Sequence, residues 1–346
     1  MKELNFICVQ PDDTYYTWQV NLWLESLKTL GYSDRAIVLI FIPTFREQNP
    51  KWKQIIDLYP EAKFYFYKDN GTASNLLHIY IPIIRPYVLA RFFEDHPDMT
   101  NKAIFYCDSD VIFMPDFNVS QYIDDDVCYV SDTNSYINAS YFDSKVKDVL
   151  PDKLEEYKKL DVLDELGKLI GINRNIAEKN NLHSGGAQYL LKNIDGGFWA
   201  KVMSDCITIR TYLMDVNKTY FESESKGFQS WCADMWAVLW GLWAKGQEVK
   251  VIEEMNFSWA PDPIEKLKTH KIYHNAGISG DKMEYGKDEN GNKLFYPCFY
   301  KGKYVSGMSP MNDLDRVLYH EESKKHCTWW YANKLDELRM KYNLTY

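Results

Sequence analysis

Asp108 and Asp110 stand two residues apart in Ile104-Phe105-Tyr106-Cys107-Asp108-Ser109-Asp110-Val111-Ile112-Phe113, a stretch that is otherwise mostly apolar. Burying unpaired carboxylates there is costly. A divalent cation such as Mn²⁺ or Mg²⁺, which takes oxygen ligands, would satisfy both. The plainer reading is a turn in which one Asp caps the next segment. Asp124-Asp125-Asp126, in polar surroundings, shows how little an acidic triplet means by itself. His274 is one of seven histidines and follows the strand-like Lys271-Ile272-Tyr273. A neutral imidazole is a competent third ligand beside two carboxylates.

Asp234 is an isolated acid in an otherwise apolar helical stretch, 231–243. Such a residue is either paired structurally or a working carboxylate with a perturbed pKa. Trp236, Trp240 and Trp243 in the same stretch read as core. Ser184-Gly185-Gly186 permits close backbone approach, or simply a tight turn. Asp12 and Asp13 either accept hydrogen bonds from a ligand or cap the helix that begins at Thr14, with capping the reading for Asp13. Arg85, just before Pro86, either meets a ligand or bonds a nearby acid.

These residues need elements to position them. Apolar runs predict strands at 4–10, 35–42, 63–67, 102–107, 187–191 and 249–252. Helical periodicity is read at 14–30, 50–58, 79–94, 197–214, 231–243 and 332–341, with Pro82 and Pro86 near the start of the third. Strands apolar on both faces that alternate with helices imply a mainly parallel sheet covered on both sides. Ligands in such sheets bind at the carboxyl ends of the strands. Asp12 and Asp13 after the first strand, and Asp108 and Asp110 after the fourth, are therefore expected to face one crevice. The charged stretch 144–180 reads as a helical insertion.

At 346 residues the chain can bury a large core, and its 16% aromatic content suits a core or stacking surfaces. A net charge of −9 counts against an obligate nucleic-acid binder. The start of the chain carries no signal-peptide pattern, and no apolar run is long enough to span a membrane. With seven scattered cysteines, this predicts a cytoplasmic protein.

Strand-Asp108-Ser109-Asp110-apolar resembles the metal-binding signature of GT-A glycosyltransferases. Leu182-His183-Ser184-Gly185-Gly186-Ala187-Gln188-Tyr189 is similar to the Asn-Ser-Gly segment of glycogenin-like transferases. Trp231-Cys232-Ala233-Asp234-Met235 resembles the Trp-x-x-acid-Met segment of plant hydroxyproline arabinosyltransferases and peptidyl-serine galactosyltransferases. Ile272-Tyr273-His274-Asn275-Ala276-Gly277, with Lys282 after it, resembles the late His-x-x-Gly…Lys segment. The resemblance implies a Rossmann-like GT-A α/β domain over 1–282 with the insertion, and a packed C-terminal extension over 283–346. It implies a metal on Asp108, Asp110 and His274. Donor contacts would come from Gln10, Pro11, Asp12, Arg85, Ser109, Gly277 and Lys282, and catalytic positions would be Asp234, Ser184, Gly185 and Gln188. It further implies transfer from a UDP-sugar, with retention, to a glycan, a protein or a hydroxymethylated nucleobase of viral DNA. In the viral case the location would be host cytoplasm. The rival readings are a nucleotidyltransferase, which would need a Gly-rich basic loop that Val9-Gln10-Pro11-Asp12-Asp13 lacks, and a non-catalytic sugar-binding module.

Overall fold

The computed structural model of the chain describes residues 2–343. Four strands, β1 (Leu4–Pro11), β2 (Ala36–Ile42), β3 (Lys63–Lys68) and β4 (Ala103–Cys107), alternate with three helices, α1 (Thr14–Thr29), α2 (Lys51–Leu58) and α3 (Ile84–Asp95). Every residue of β2 and β4 is buried, as continuous apolar runs require when both sheet faces are covered. Successive side chains point to opposite faces. Thus Ile7, Val9, Ile37 and Leu39 enter one core, while Phe6, Cys8, Val38 and Ile40 enter the other.

Asp13 caps α1, its carboxylate accepting from Tyr15 N at 2.9 Å. The third helix starts at Ile84, later than its periodicity predicts, because Tyr80 is extended and Pro82 lies in a 3₁₀ turn (Ile81–Ile83). Pro82 has no backbone N–H to give a helix running through it from Ile79. Pro86 is tolerated in the first turn, where its missing N–H would have no intrahelical partner.

After β4 come β5 (Val111–Phe113) and β6 (Cys128–Asp132). Five short helices follow: α4 (Asn134–Ile137), α5 (Ala139–Ser144), α6 (Leu154–Tyr157), α7 (Val162–Ile170) and α8 (Arg174–Lys179). The helical stretch therefore begins at Asn134, ahead of the charged segment. Next are β7 (Gly185–Leu191), the long α9 (Gly196–Tyr220), α10 (Ala233–Ala244), β8 (Val249–Val251), β9 (Phe257–Trp259) and β10 (Ile272–His274). A hairpin of β11 (Lys282–Lys287) and β12 (Lys293–Pro297), then α11 (Leu314–Leu318) and α12 (Cys327–Tyr342), complete the chain.

The main sheet has seven strands in the order β3-β2-β1-β4-β7-β6-β8. β3, β2, β1 and β4 are parallel; β7 is antiparallel to both β4 and β6. This is a mainly parallel mixed α/β sheet with helices on both faces and a helical insertion. A second sheet, β5-β10-β9, carries His274. The last helix packs on the first: Trp18 and Leu22 share a core with Tyr331, Leu335 and Leu338. All seven cysteines are free thiols. No helix of the described residues is long and apolar enough to cross a membrane.

Two antiparallel pairings decide where the late segments arrive. Gln188 pairs with Cys107, so the start of β7 lies at the carboxyl end of β4. His274 pairs with Val111, so β10 ends beside the residues that follow Asp108. The β7 start is closely packed: a Cβ on Gly185 would lie 2.4 Å from both the Ser131 carbonyl oxygen and Val130 Cγ2. Gly185→Ala must move backbone, at a cost of about 1–3 kcal/mol. Its thermal midpoint is expected to fall by several degrees by scanning fluorimetry; an unchanged midpoint would show that the strands can separate freely here.

Candidate active site

Asp108, Ser109 and Asp110 leave the carboxyl end of β4 and turn into β5. There Asn275 N–H donates to the Asp110 carbonyl oxygen at 2.9 Å, fastening the turn to the end of β10. Ligand atoms of Asp108, Asp110 and His274 lie within 4.8 Å of one another. His274 Nε2 is 3.5 Å from Asp110 Oδ1 and 3.8 Å from Asp108 Oδ2. Two carboxylates and an imidazole at these separations suit a hard divalent cation such as Mn²⁺ or Mg²⁺.

The His274 ring is held from its Nδ1 side. The Gln188 carboxamide lies 3.1 Å from His274 Nδ1 and 2.6 Å from Ser131 Oγ, which is itself 2.7 Å from the Met255 carbonyl oxygen. A hydroxyl has one hydrogen to give, and a carboxamide can be turned end for end without change of shape. In the structure the Gln188 nitrogen faces His274 Nδ1 and its oxygen accepts from Ser131; with the carboxamide turned, Ser131 donates to Met255, the Gln188 amide N–H donates to Ser131, and the Gln188 carbonyl accepts from His274 Nδ1–H. Nε2 is the nitrogen that faces the two carboxylates. Gln188 reaches this position through Ala187, whose φ of +67° is a strained, left-handed conformation for a residue with a side chain. The β6–β7 register slips nearby, between Val130 and Asp132.

Charge at the site is tightly paired. Arg85 Nη2 lies 2.7 Å from Asp108 Oδ1 and Arg85 Nη1 lies 2.8 Å from Asp234 Oδ2. Burial opposes the guanidinium charge, but these two carboxylates outweigh it and raise the Arg85 pKa. Asp234 sits in the first turn of α10, where helix N–H groups favour an acid. The Tyr80 hydroxyl lies 2.8 Å from Asp234 Oδ1, 2.6 Å from the Trp231 carbonyl oxygen, and accepts from Asp234 N–H at 3.1 Å. Lys301 contacts Asp110 Oδ2 directly. Burial pushes Asp110 upward, yet the Lys301 ammonium and the His274 ring hold its pKa well below the usual carboxylate range.

One cavity of about 680 Å³ joins these groups. Of the positions singled out in the sequence, Gln10, Arg85, Asp108, Ser109, Asp110, Asp234, His274 and Gly277 line it. Gly277 has a φ of +84°, and a Cβ there would meet the Pro261 ring at 3.3 Å. Asp12 does not line it. Its buried carboxylate accepts from Trp52 Nε1 at 2.7 Å and Asn49 N–H at 2.9 Å, because an acid placed under α2 needs partners there. Asp12 and Asp13 border a separate groove with Arg46 and Asn49, so the two acidic pairs do not share one crevice. Pro11 ends β1 in register with Phe41, away from the cavity lining. Lys282 is exposed on β11, where the hairpin carries it away from the site, and Lys301 takes the place beside Asp110. Ser184 and Gly185 are buried in strand packing, and Gln188 acts through His274. Lys301 carried no signal in the sequence, standing in a Tyr-, Gly- and Lys-rich stretch.

No protein-family model and no curated protein sequence matches the chain. Three solved structures similar to it are all glycosyltransferases. Bifunctional WbbM in its apo form has 10% identity and a TM-score of 0.39, covering 80% of this chain and 46% of its own, so the chain spans about half the length of WbbM. Mouse xyloside xylosyltransferase 1, also apo, has 10% identity and a TM-score of 0.37, covering 80% and 98%. Galactosyltransferase LgtC, in complex with donor and acceptor sugar analogues, has 13% identity and a TM-score of 0.39, covering 90% and 100%.

The contact between Gln188 and His274 makes a prediction. Outer partners of metal-bound imidazoles commonly contribute about 10–100-fold in metal affinity. Gln188→Ala is expected to weaken Mn²⁺ binding by about that factor in calorimetric titrations. Equal dissociation constants for variant and parent would remove Gln188 from this role.

Proposed function

We propose that the chain transfers a glycosyl group from a nucleoside diphosphate sugar, UDP-linked, to an acceptor hydroxyl. The observation that carries this reading is the Asp108–Asp110–His274 cluster, tied through Arg85 to Asp234 within one cavity at the carboxyl edge of the sheet. A Mn²⁺ or Mg²⁺ ion held by those three residues would supply Lewis-acid neutralisation of the departing diphosphate.

The chain's own residues supply the rest. Ser131 and Gln188 hold the His274 ring in place. Arg85 fixes Asp108 and Asp234 relative to each other, so that a sugar between them meets a prearranged set of charges. Asp234 has one oxygen on Tyr80 and the other on Arg85, which suits it to accept from sugar hydroxyls. Lys301 is the cation to offset diphosphate charge once an ion shares Asp110. Gln10 and Tyr16, on the β1 side of the cavity, are the side chains available to a base or ribose.

The three carboxylates lining the cavity are all paired: Asp108 and Asp234 with Arg85, Asp110 with Lys301 and His274. None stands free as a general base. This supports deprotonation of the acceptor by the leaving phosphate on the same face, and hence retention at the anomeric carbon.

Two measurements test the reading. In a panel of UDP- and GDP-sugars, Mn²⁺-dependent thermal stabilisation is expected with at least one UDP-sugar. Asp110→Ala should lower Mn²⁺-dependent hydrolysis of that donor by more than ~100-fold, since losing a ligand exceeds losing its outer partner. Donor hydrolysis untouched by Asp110→Ala, or by chelator, would overturn the proposal. Product anomericity read by NMR separately tests retention, and inversion would reject it.

A further inference from the structure

Trp231 differs from the tryptophans of the core. Trp236, Trp240 and Trp243 of the helix that follows it are buried, whereas Trp231 is 55% exposed and forms part of the cavity wall. A single exposed aromatic ring is ordinary, but this one is held in place. The Tyr80 ring meets it edge-on with centroids 5.7 Å apart, and the Tyr80 hydroxyl holds the Trp231 carbonyl oxygen. The Arg210 guanidinium lies 5.9 Å from the Trp231 ring centre and 5.8 Å from that of Tyr80, and is itself fixed by the Ser230 hydroxyl. The indole is thus oriented before any ligand arrives, which lowers the ordering cost of binding. Gln229 and Asp234, both lining the cavity, place hydrogen-bonding groups close to it in the chain.

The charge of the cavity narrows what the ring can receive. Arg85 and Lys301 are the only arginine and lysine among its described lining residues, both committed to carboxylates, and Arg210 beside the Trp231 ring adds a single further cation. A polynucleotide acceptor needs cations for its phosphates. A neutral pyranose needs none: its C–H face suits the electron-rich indole face, and its hydroxyls suit Gln229 and Asp234. The ring also lies on the Asp234 side of Arg85, while Asp110 and Lys301 lie on the Asp108 side.

Resting on the sugar-transfer reading, we propose that Trp231 is the platform of an acceptor subsite and that the acceptor is a neutral carbohydrate. The test uses the full chain with Mn²⁺ and the UDP-sugar it hydrolyses, offered lactose, cellobiose, 4-nitrophenyl β-xyloside, hydroxymethylcytosine duplex DNA and a serine-rich peptide. Label is expected in a saccharide. Trp231→Ala should raise the KM for that saccharide at least tenfold, well beyond any change in donor KM, and Trp231→Phe should restore most of the loss. Thermal stabilisation of each variant by Mn²⁺ and donor shows that it is folded. Preferential labelling of DNA or peptide, or a saccharide KM unmoved in Trp231→Ala, overturns the subsite while leaving sugar transfer standing. Failure to hydrolyse any UDP- or GDP-sugar removes the sugar-transfer reading, and the subsite with it.

Discussion

Arg85 gives one guanidinium nitrogen to Asp108 and another to Asp234, and the geometry of the whole carboxyl edge follows from that fork. The first acid ends a strand of the main sheet; the second opens a helix much later in the chain. Like charges about 4 Å apart repel by about 4 kcal/mol at an effective dielectric near 20, so carboxylates do not gather without compensation. Three line this cavity, against the two cations Arg85 and Lys301. One negative charge is left over, next to the His274 imidazole. On the proposed sugar transfer, a dication here would leave a positive surplus for a diphosphate. A planar, permanently charged fork can serve two carboxylates at once; a lysine presents only a point charge.

The backbone makes this arrangement possible by running two strands backwards. In a wholly parallel sheet the amino ends of strands would lie far from the ligand edge. Because β7 is antiparallel to β4, its first residues come to the edge, and Gln188 arrives beside the Asp108–Asp110 turn. β10, antiparallel to β5, delivers His274 to the same place. The local cost of this traffic is visible in the missing Cβ of Gly185 and the left-handed Ala187. Strain of this kind persists where surrounding structure over-determines it, and here both β6 and the ligand-bearing turn press on the same few residues.

Sequence alone shows those parts whose chemistry is carried by residue type and local pattern. The runs Phe6–Val9 and Ile37–Phe41 read as buried strands, and an Asp-x-Asp after such a run read either as a cation-binding pair or as a capping turn. His274 stood out because histidines are few. Arg85 was visible with two meanings, ligand contact or acid pair; the structure supplies the second, and the acids turn out to be those of the site. Lys301 was not legible, because nothing local separates it from the neighbouring lysines, and its meaning comes from the way α11 and α12 fold the C-terminal segment back over α1. Asp12 misled for the opposite reason. It has the right type and sits after the right strand, but Trp52 and Asn49, arriving from the next helix and its approach, claim its carboxylate.

The aromatic residues show the same division between what is local and what is not. Trp236, Trp240 and Trp243 recur at helical spacing and are buried, as periodicity alone requires. Trp231 belongs to the same stretch of sequence but precedes the helix, so the periodicity that buries its neighbours does not apply to it. Its orientation comes instead from Tyr80 in the turn before α3 and Arg210 on α9. Tyr80 also touches Asp234, and Asp234 also touches Arg85. The aromatic wall and the charged centre therefore meet at Tyr80, whose hydroxyl holds the backbone oxygen of Trp231 and the carboxylate of Asp234, so that join does not depend on the indole itself.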